Sequence, residues 1–204
     1  MITVKCITET SFTEKKSKFI GLALRAESER QALLEIEKRK KQRYDAAHNC
    51  WAYVLESGVM RYSDDGEPQG TAGLPMLDVI KKSGLSDVLV ISTRYFGGTL
   101  LGAGGLVRAY TRSASETLEA APKVRLIPCS LYKCSFPYGV WAKAENVLVG
   151  AGYTFEDITF TQDVTADVCV TAGGEDAFLE LIKNVSLGKS VPELLCHKLK
   201  EMPA

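Results

Sequence analysis

Three short stretches concentrate the residue types that chemistry uses. The first is His48-Asn49-Cys50-Trp51-Ala52-Tyr53. On an extended strand side chains alternate, so His48, Cys50 and Ala52 share one face and Asn49, Trp51 and Tyr53 the other. A histidine and a cysteine two apart on one face have the makings of a thiolate–imidazolium couple. A half-buried strand carrying a hydrogen-bonded histidine accounts for the same residues without any reaction. The second stretch, Ser63 to Gly73, places Asp64, Asp65 and Glu67 in a glycine-rich segment. Three carboxylates so close could hold a hard cation through oxygen, but the calcium-loop pattern is absent and Asp-Gly is also ordinary turn chemistry.

The third stretch runs from Arg94 through Tyr95, Gly97, Gly98, Gly102, Gly104 and Gly105 to Arg108. Its glycines lie between an apolar run and a helical pattern, where backbone N–H groups can approach an anion and the helix dipole adds attraction. Neither the P-loop nor the G-x-G-x-x-G pattern is met, and close strand–helix packing uses glycine in the same way. A fourth feature is the basic run Lys38, Arg39, Lys40, Lys41 and Arg43. Cations at a helix end complement its dipole and usually form a solvated face; the alternative is contact with an RNA backbone.

The elements that must position these residues follow from periodicity. Lys18–Arg25, His48–Glu56 and Asp87–Tyr95 read as strands, the last apolar enough to be buried on both faces. Helices are expected at Glu29–Arg43 with Ser28 as N-cap, at Thr71–Ser83 stopped by Gly84, and at Gly104–Ala121 stopped by Pro122. Beyond that proline, Arg125–Phe136, Tyr138–Val149, Tyr153–Phe160, Val164–Thr171, Gly174–Leu187 and a strand around Val191–His197 spell β-α-β-β-α-β, the ferredoxin-like signature. Two domains are therefore expected, 1–122 and 123–204. Both belong to the α+β class.

Composition bounds the function. The 204 residues carry 25 Lys+Arg and 25 Asp+Glu, which excludes a dedicated polycation. The net charge is +2 over 1–122 and −2 over 123–204. No apolar run reaches the ~20 residues of a membrane span, and the opening MITVKCITET lacks the pattern of an export leader. Six cysteines without a C-x-x-C pair read as reduced cytoplasmic thiols. Two histidines and no Cys/His cluster leave no structural zinc set, so neither metal nor cofactor is expected.

Taken together, AHNCWAY (Ala47 to Tyr53), SDDGEPQGTAG (Ser63 to Gly73) with Pro75, and TRYFGGTLLGAGGLVRAY (Thr93 to Tyr110) resemble the YigZ/IMPACT family. The resemblance implies an N-terminal domain like the second domain of a small-subunit ribosomal protein, a β-α-β fold with left-handed crossover, followed by a ferredoxin-like domain. It also implies a link to translation, because eukaryotic members regulate it and the same pair of folds ends elongation factor G.

The expected function is a non-catalytic cytoplasmic binding protein that contacts RNA or the ribosome, or a protein partner in translation control, with no membrane and no DNA specificity. His48, Trp51, Asp64, Asp65, Glu67, Arg94, Tyr95 and Arg108 would form one face, with Gly97, Gly98, Gly102 and Gly104 approaching a phosphate. No residue is assigned a catalytic role. The competing expectation is a metal-assisted enzyme on a small phosphorylated or peptide-like substrate, with Asp64, Asp65 and Glu67 on Mg²⁺ and His48 or Cys50 assisting.

Overall fold

The computed structural model describes residues 1–203. In chain order the elements are β1 (Ile2–Val4), β2 (Thr8–Glu14), β3 (Ser17–Arg25), α1 (Glu29–Gln42), β4 (His48–Val54), β5 (Met60–Ser63), α2 (Gly73–Ser83), β6 (Val88–Tyr95) and α3 (Ala103–Ala120). There follow β7 (Lys123–Phe136), α4 (Tyr138–Gly150), β8 (Thr154–Phe160), β9 (Val164–Thr171), α5 (Glu175–Ser186) and β10 (Glu193–Pro203). The chain divides into two compact units, Met1–Arg125 with Pro203, and Leu126–Met202.

In the first unit five strands pair in the order β2-β3-β6-β4-β5, every pair antiparallel. Strands β3 and β4 both run against β6, so they are parallel to each other and joined through α1. Side-chain alternation sorts the sheet into two faces. Cys50, Ala52, Val54, Val88 and Val90 pack with Met76, Leu77 and Ile80 of α2 and Leu106, Ala109, Tyr110 and Ala114 of α3. Tyr53, Leu89 and Ile91 pack on the other face with Ala32 and Ile36 of α1. The result is helix, sheet, helices: three layers around β6, whose Val88 to Ile91 are fully buried.

Local chemistry explains the helix ends. Ser28 Oγ accepts the backbone N–H of Gln31 at 3.2 Å, the N-cap expected from the sequence. Helix α2 starts at Gly73, two residues later than expected. The extra strands β1, β2 and β5 escaped the periodicity reading because β2 (TETSFTE) is polar at most positions and β5 is a largely exposed edge. Strand β10 is longer than expected and ends at Pro203.

The second unit is the ferredoxin-like βαββαβ arrangement. Strand β7 is flanked by β9 and β10, and β8 pairs with β9, giving the order β8-β9-β7-β10. Trp141, Ala144 and Leu148 of α4 and Phe178, Ile182 and Val185 of α5 cover Tyr132, Cys134, Phe136, Val164, Ala166, Val168 and Val170. All six cysteines are free thiols, with Cys6 and Cys196 exposed and the other four buried. No helix among the described residues is long and apolar enough to cross a membrane.

The basic run is corrected by the fold. Arg39 is turned into the sheet, 4% exposed, with Nε donating to Thr93 Oγ1 at 3.0 Å and Nη1 to Glu9 at 2.8 Å. Lys38 pairs with Glu35, Lys40 with Asp65 and Arg43 with Glu9, while Lys41 stays exposed. Four of the five cations therefore pair with three of the protein's own carboxylates, Arg39 and Arg43 sharing Glu9, and the run ties α1 to β2, β6 and the acidic loop. Arg39→Ala should cost about 2 kcal/mol of stability, through the lost Thr93 bond and the lost packing of the side-chain stem. Urea unfolding would read this as a lower midpoint at unchanged slope.

Candidate functional site

The site begins with strand register. His48 opens β4 directly opposite Arg94 near the end of β6. Both side chains lie on the α2/α3 face by alternation with Cys50, Ser92 and Val90. Between them comes Glu67, delivered by the loop that joins β5 to α2. That loop is a type I′ turn: the Glu67 N–H donates to Asp64 C=O at 2.9 Å, with positive φ at Asp65 (44°) and Gly66 (87°). Asp-Gly is the dipeptide that tolerates this geometry.

Each acidic residue has its own task. Asp64 caps the start of α2: its Oδ1 accepts from Ala72 and Gly73 at 3.0 and 2.8 Å, and its Oδ2 from Gly70 at 2.8 Å. This is why the helix begins at Gly73. Asp65 accepts the Asn49 N–H at 2.7 Å and pairs with Lys40 at 2.9 Å. Burial works against its charge, but the bonds from Lys40 and Asn49 prevail and hold its carboxyl below the ordinary aspartate range. Glu67 is 8% exposed, and its Oε1 accepts from Arg94 Nη1 at 2.7 Å and Tyr110 Oη at 2.8 Å. The three carboxylates thus face different partners, and the expected Mg²⁺ triad of the competing reading is not assembled. No group of three or more metal-ligating side chains occurs among the described residues.

His48 is oriented by the same turn. Its Nδ1 lies 2.8 Å from Asp65 C=O, which can only accept, so Nδ1 carries a proton and Nε2 of the neutral ring is an acceptor. That Nε2 stands 3.8 Å from Glu67 Oε1. Arg94 is 5% exposed, and its guanidinium lies 5.6 Å from the ring centroids of Phe19 and of Phe96. Its Nη2 reaches Ser17 Oγ at 3.4 Å, and its buried Nε has no hydrogen-bond partner. Cys50 Sγ donates to Asp64 C=O at 2.9 Å. Burial pushes the Cys50 thiol far above its ordinary range despite the Tyr110 hydroxyl, and the neighbouring carboxylates push the same way. It is a structural thiol, not half of a thiolate–imidazolium couple.

Above these groups lies a cavity of about 500 Å³, the scale of a small-molecule site. His48, Glu67 and Arg94 supply its polar floor, and Pro68, Phe96, Leu100, Leu101 and Leu106 its walls. Gly102 and Ala103 bring the first turn of α3 to the rim. Gly102 is the N-cap, with φ 73° and no side-chain cap, so the first N–H groups of this 18-residue helix have no side-chain partner there.

Not every expected residue arrives. Trp51 and Tyr95 belong to the opposite, α1-facing side of the sheet, where Trp51 stacks on Tyr53 and Tyr95 bonds Asp45. Arg108 is exposed on α3 and lines a separate groove with Phe12, Glu14, Lys15 and Arg112. Asp64 and Asp65 lie beside the cavity as loop-shaping groups. Gly98 takes a positive φ of 80°, and Gly104 lies on the exposed side of α3 near Arg108. Residues the sequence reading missed are Tyr110, Ser17 and Phe96. Phe96 could have been found by alternation with Arg94; Tyr110 and Ser17 carry no local signal.

Gly97 is where loop and sheet nearly touch: a Cβ there would lie 2.0 Å from the Lys16 carbonyl carbon. Because the obstacle is backbone, Gly97→Ala should cost about 3 kcal/mol and displace the loop under the cavity, measurable by thermal melting. The depressed Asp65 carboxyl contributes stability that is complete above the ordinary aspartate range and lost as pH falls through the folded value. Acid denaturation of Asp65→Asn should therefore be shallower below about pH 4 than that of the native protein.

Comparison with known proteins places the chain as a whole. The Impact N-terminal domain model matches residues 15–118, and a domain of unknown function, DUF1949, matches 134–189. The IMPACT family member YvyE of Bacillus subtilis is 40% identical over 190 residues, 92% of this chain and 88% of that protein. The IMPACT family member YigZ of Escherichia coli is 37% identical over 128 residues, 61% of this chain and 63% of that protein. A solved structure described as a hypothetical protein superposes with a TM-score of 0.64 at 28% identity, covering 96% of this chain and 97% of that one. The chain belongs to the IMPACT family.

Proposed function

We propose that the protein is a cytoplasmic, non-catalytic binding protein that regulates translation by contacting RNA or the ribosome. The observation that carries this reading is the convergence of His48, Glu67 and Arg94, from three distant stretches, at one apolar-walled cavity. Apart from His48 Nε2, the reactive types in and beside it are engaged by the protein itself. Glu67 is held by Arg94 and Tyr110, Asp64 caps a helix, and the Cys50 thiol is kept protonated. Such an arrangement holds a partner rather than attacking it. The link to translation is supported by membership of the IMPACT family, whose eukaryotic members the sequence resemblance ties to translation control. The metal-assisted alternative needs Asp64, Asp65 and Glu67 on one ion, and each of these carboxylates is bonded to a different set of protein partners.

Exposed cations next to the cavity supply the electrostatic part. Lys15, Arg108 and Arg112 flank one groove on the α3 side. Co-sedimentation with ribosomes should weaken steeply between low and physiological salt, and Arg108→Ala should reduce the slope by about one phosphate contact. Absence of any salt-dependent association with ribosomes, ribosomal RNA or transfer RNA would overturn the reading.

A further inference from the structure

The second unit holds two buried thiols side by side. Cys129 of β7 and Cys169 of β9 have their Sγ atoms 2.9 Å apart. They are diagonal neighbours on paired strands, since Cys129 stands opposite Thr171 and Cys169 opposite Leu131. Among the described residues no other cysteine has a sulfur partner. Cys50 donates to the Asp64 carbonyl, Cys134 lies in the core, and Cys6 and Cys196 are exposed.

Alternation turns both sulfurs away from the helices. Tyr132 and Cys134 of β7 and Val168 and Val170 of β9 pack under α4 and α5, so Cys129 and Cys169 point to the opposite face. Even there they are only 2% and 4% exposed. Lys198 of β10 and Glu156 of β8 supply part of the cover. These strands are the two edges of the sheet, and their side chains meet in an ion pair that spans the central strands. Lys198 is aimed to this face because its neighbour His197 turns to the other, where Nδ1 lies 3.1 Å from Ser130 Oγ. The ammonium is within electrostatic reach of both sulfurs. Its ion pair with Glu156 is about a third exposed, so it holds the cover shut only weakly.

We propose that Cys129 and Cys169 are a reversible redox pair, a modification site at which a small disulfide such as oxidised glutathione converts the two thiols into one bond between β7 and β9. Closing that bond takes less than about 1 Å of sulfur travel, from 2.9 Å to the ~2.05 Å of a disulfide. One protein thiolate attacks a sulfur of the oxidant, whose own S–S bond breaks and releases a first glutathione. The second protein thiolate attacks the mixed disulfide and releases the other. Two electrons pass from the protein to the oxidant, and the two thiol protons end on the two glutathione molecules. Burial, and after it the neighbouring Cys169, holds the Cys129 thiol above its ordinary range, while Lys198 pulls it back. The first attack is therefore slow at neutral pH, and the second is fast because its target sulfur is already in contact. Such a pair follows the lasting redox poise of its surroundings, and redox sensing is one of the uses that cytosolic disulfides serve. The bond ties the two central strands of the unit and links residues 40 apart, which restricts the unfolded chain. It concerns the second unit alone and stands apart from what the first unit binds.

The test incubates the full-length protein in glutathione buffers of rising oxidised fraction, then blocks and counts the remaining thiols. The expected result is a peptide map that joins Cys129 to Cys169, with full recovery of the thiols on adding dithiothreitol. A variant carrying Cys6→Ser and Cys196→Ser, which removes only the exposed thiols, should lose two of the four that remain. Adding Cys129→Ser or Cys169→Ser to that variant should abolish the loss. The oxidised protein should unfold at a higher urea concentration than the reduced one. Should a buried serine variant fail to fold, the peptide map of the native protein decides alone. An unchanged thiol count in excess oxidised glutathione overturns the inference. So do glutathione adducts on Cys6 or Cys196 without the internal bond, or a bond joining another pair in place of this one.

Discussion

A buried carboxylate held by a buried guanidinium organises this molecule. Glu67 and Arg94 meet at 2.7 Å with almost no solvent access, and Tyr110 adds a hydroxyl to the same oxygen. Desolvating such a pair costs free energy that only good geometry and further hydrogen bonds can offset. The fold supplies them from three directions: Glu67 on the turn after β5, Arg94 from the central strand, Tyr110 from α3. Removing either charge would leave the other buried and alone. The pair is therefore a strong constraint on where loop, sheet and helix stand relative to one another, and the cavity exists in the space they leave.

Around that pair the backbone does most of the positioning. Asp64 gathers three N–H groups at the start of α2, and the carbonyls of Asp64 and Asp65 take up the Cys50 thiol and the His48 ring. A side chain that looked like a metal ligand is thus a helix cap, and one that looked like a nucleophile is a buried donor. The imidazole is aimed by a peptide carbonyl, so its orientation depends on the turn type and not on another side chain. A cavity whose rims are backbone and whose floor is one ion pair is preorganised before any ligand arrives, which lowers the ordering cost of binding.

Much of this was legible in the order of residues, and the parts that were not have physical reasons. The alternation of His48, Cys50 and Ala52 against Trp51 and Tyr53 predicted the two faces of β4 correctly, because a strand buried on both sides leaves no freedom of register. The same rule, applied to Arg94 and Tyr95, would have separated those neighbours and brought Phe96 to the site. The βαββαβ pattern of the second unit was readable because its helices end at or beside glycines and strand β9 alternates, although β8 has an irregular register between Phe155 and Asp157. Arg39 was misread as surface because a basic run carries no local sign that one member turns inward to Thr93. Strand β2 was missed because an edge strand needs little hydrophobicity when one neighbour, β3, supplies the pairing. Glu67 could be named as a candidate, but its partner Tyr110 lies 43 residues away and is invisible to any window.

The Asp65-Gly66 turn has a chemical consequence for ageing of the protein. An aspartate followed by glycine is prone to ring closure, in which the next amide nitrogen attacks the side-chain carbonyl and yields a succinimide, then isoaspartate. Here the Asp65 carboxylate is drawn to the Asn49 N–H and the Lys40 ammonium, within a turn whose backbone torsions are already set. The turn whose backbone carbonyl steers the imidazole is thus shielded at this linkage by its own carboxylate's bonds, so spontaneous backbone damage there should become appreciable only in chains that have lost their native structure.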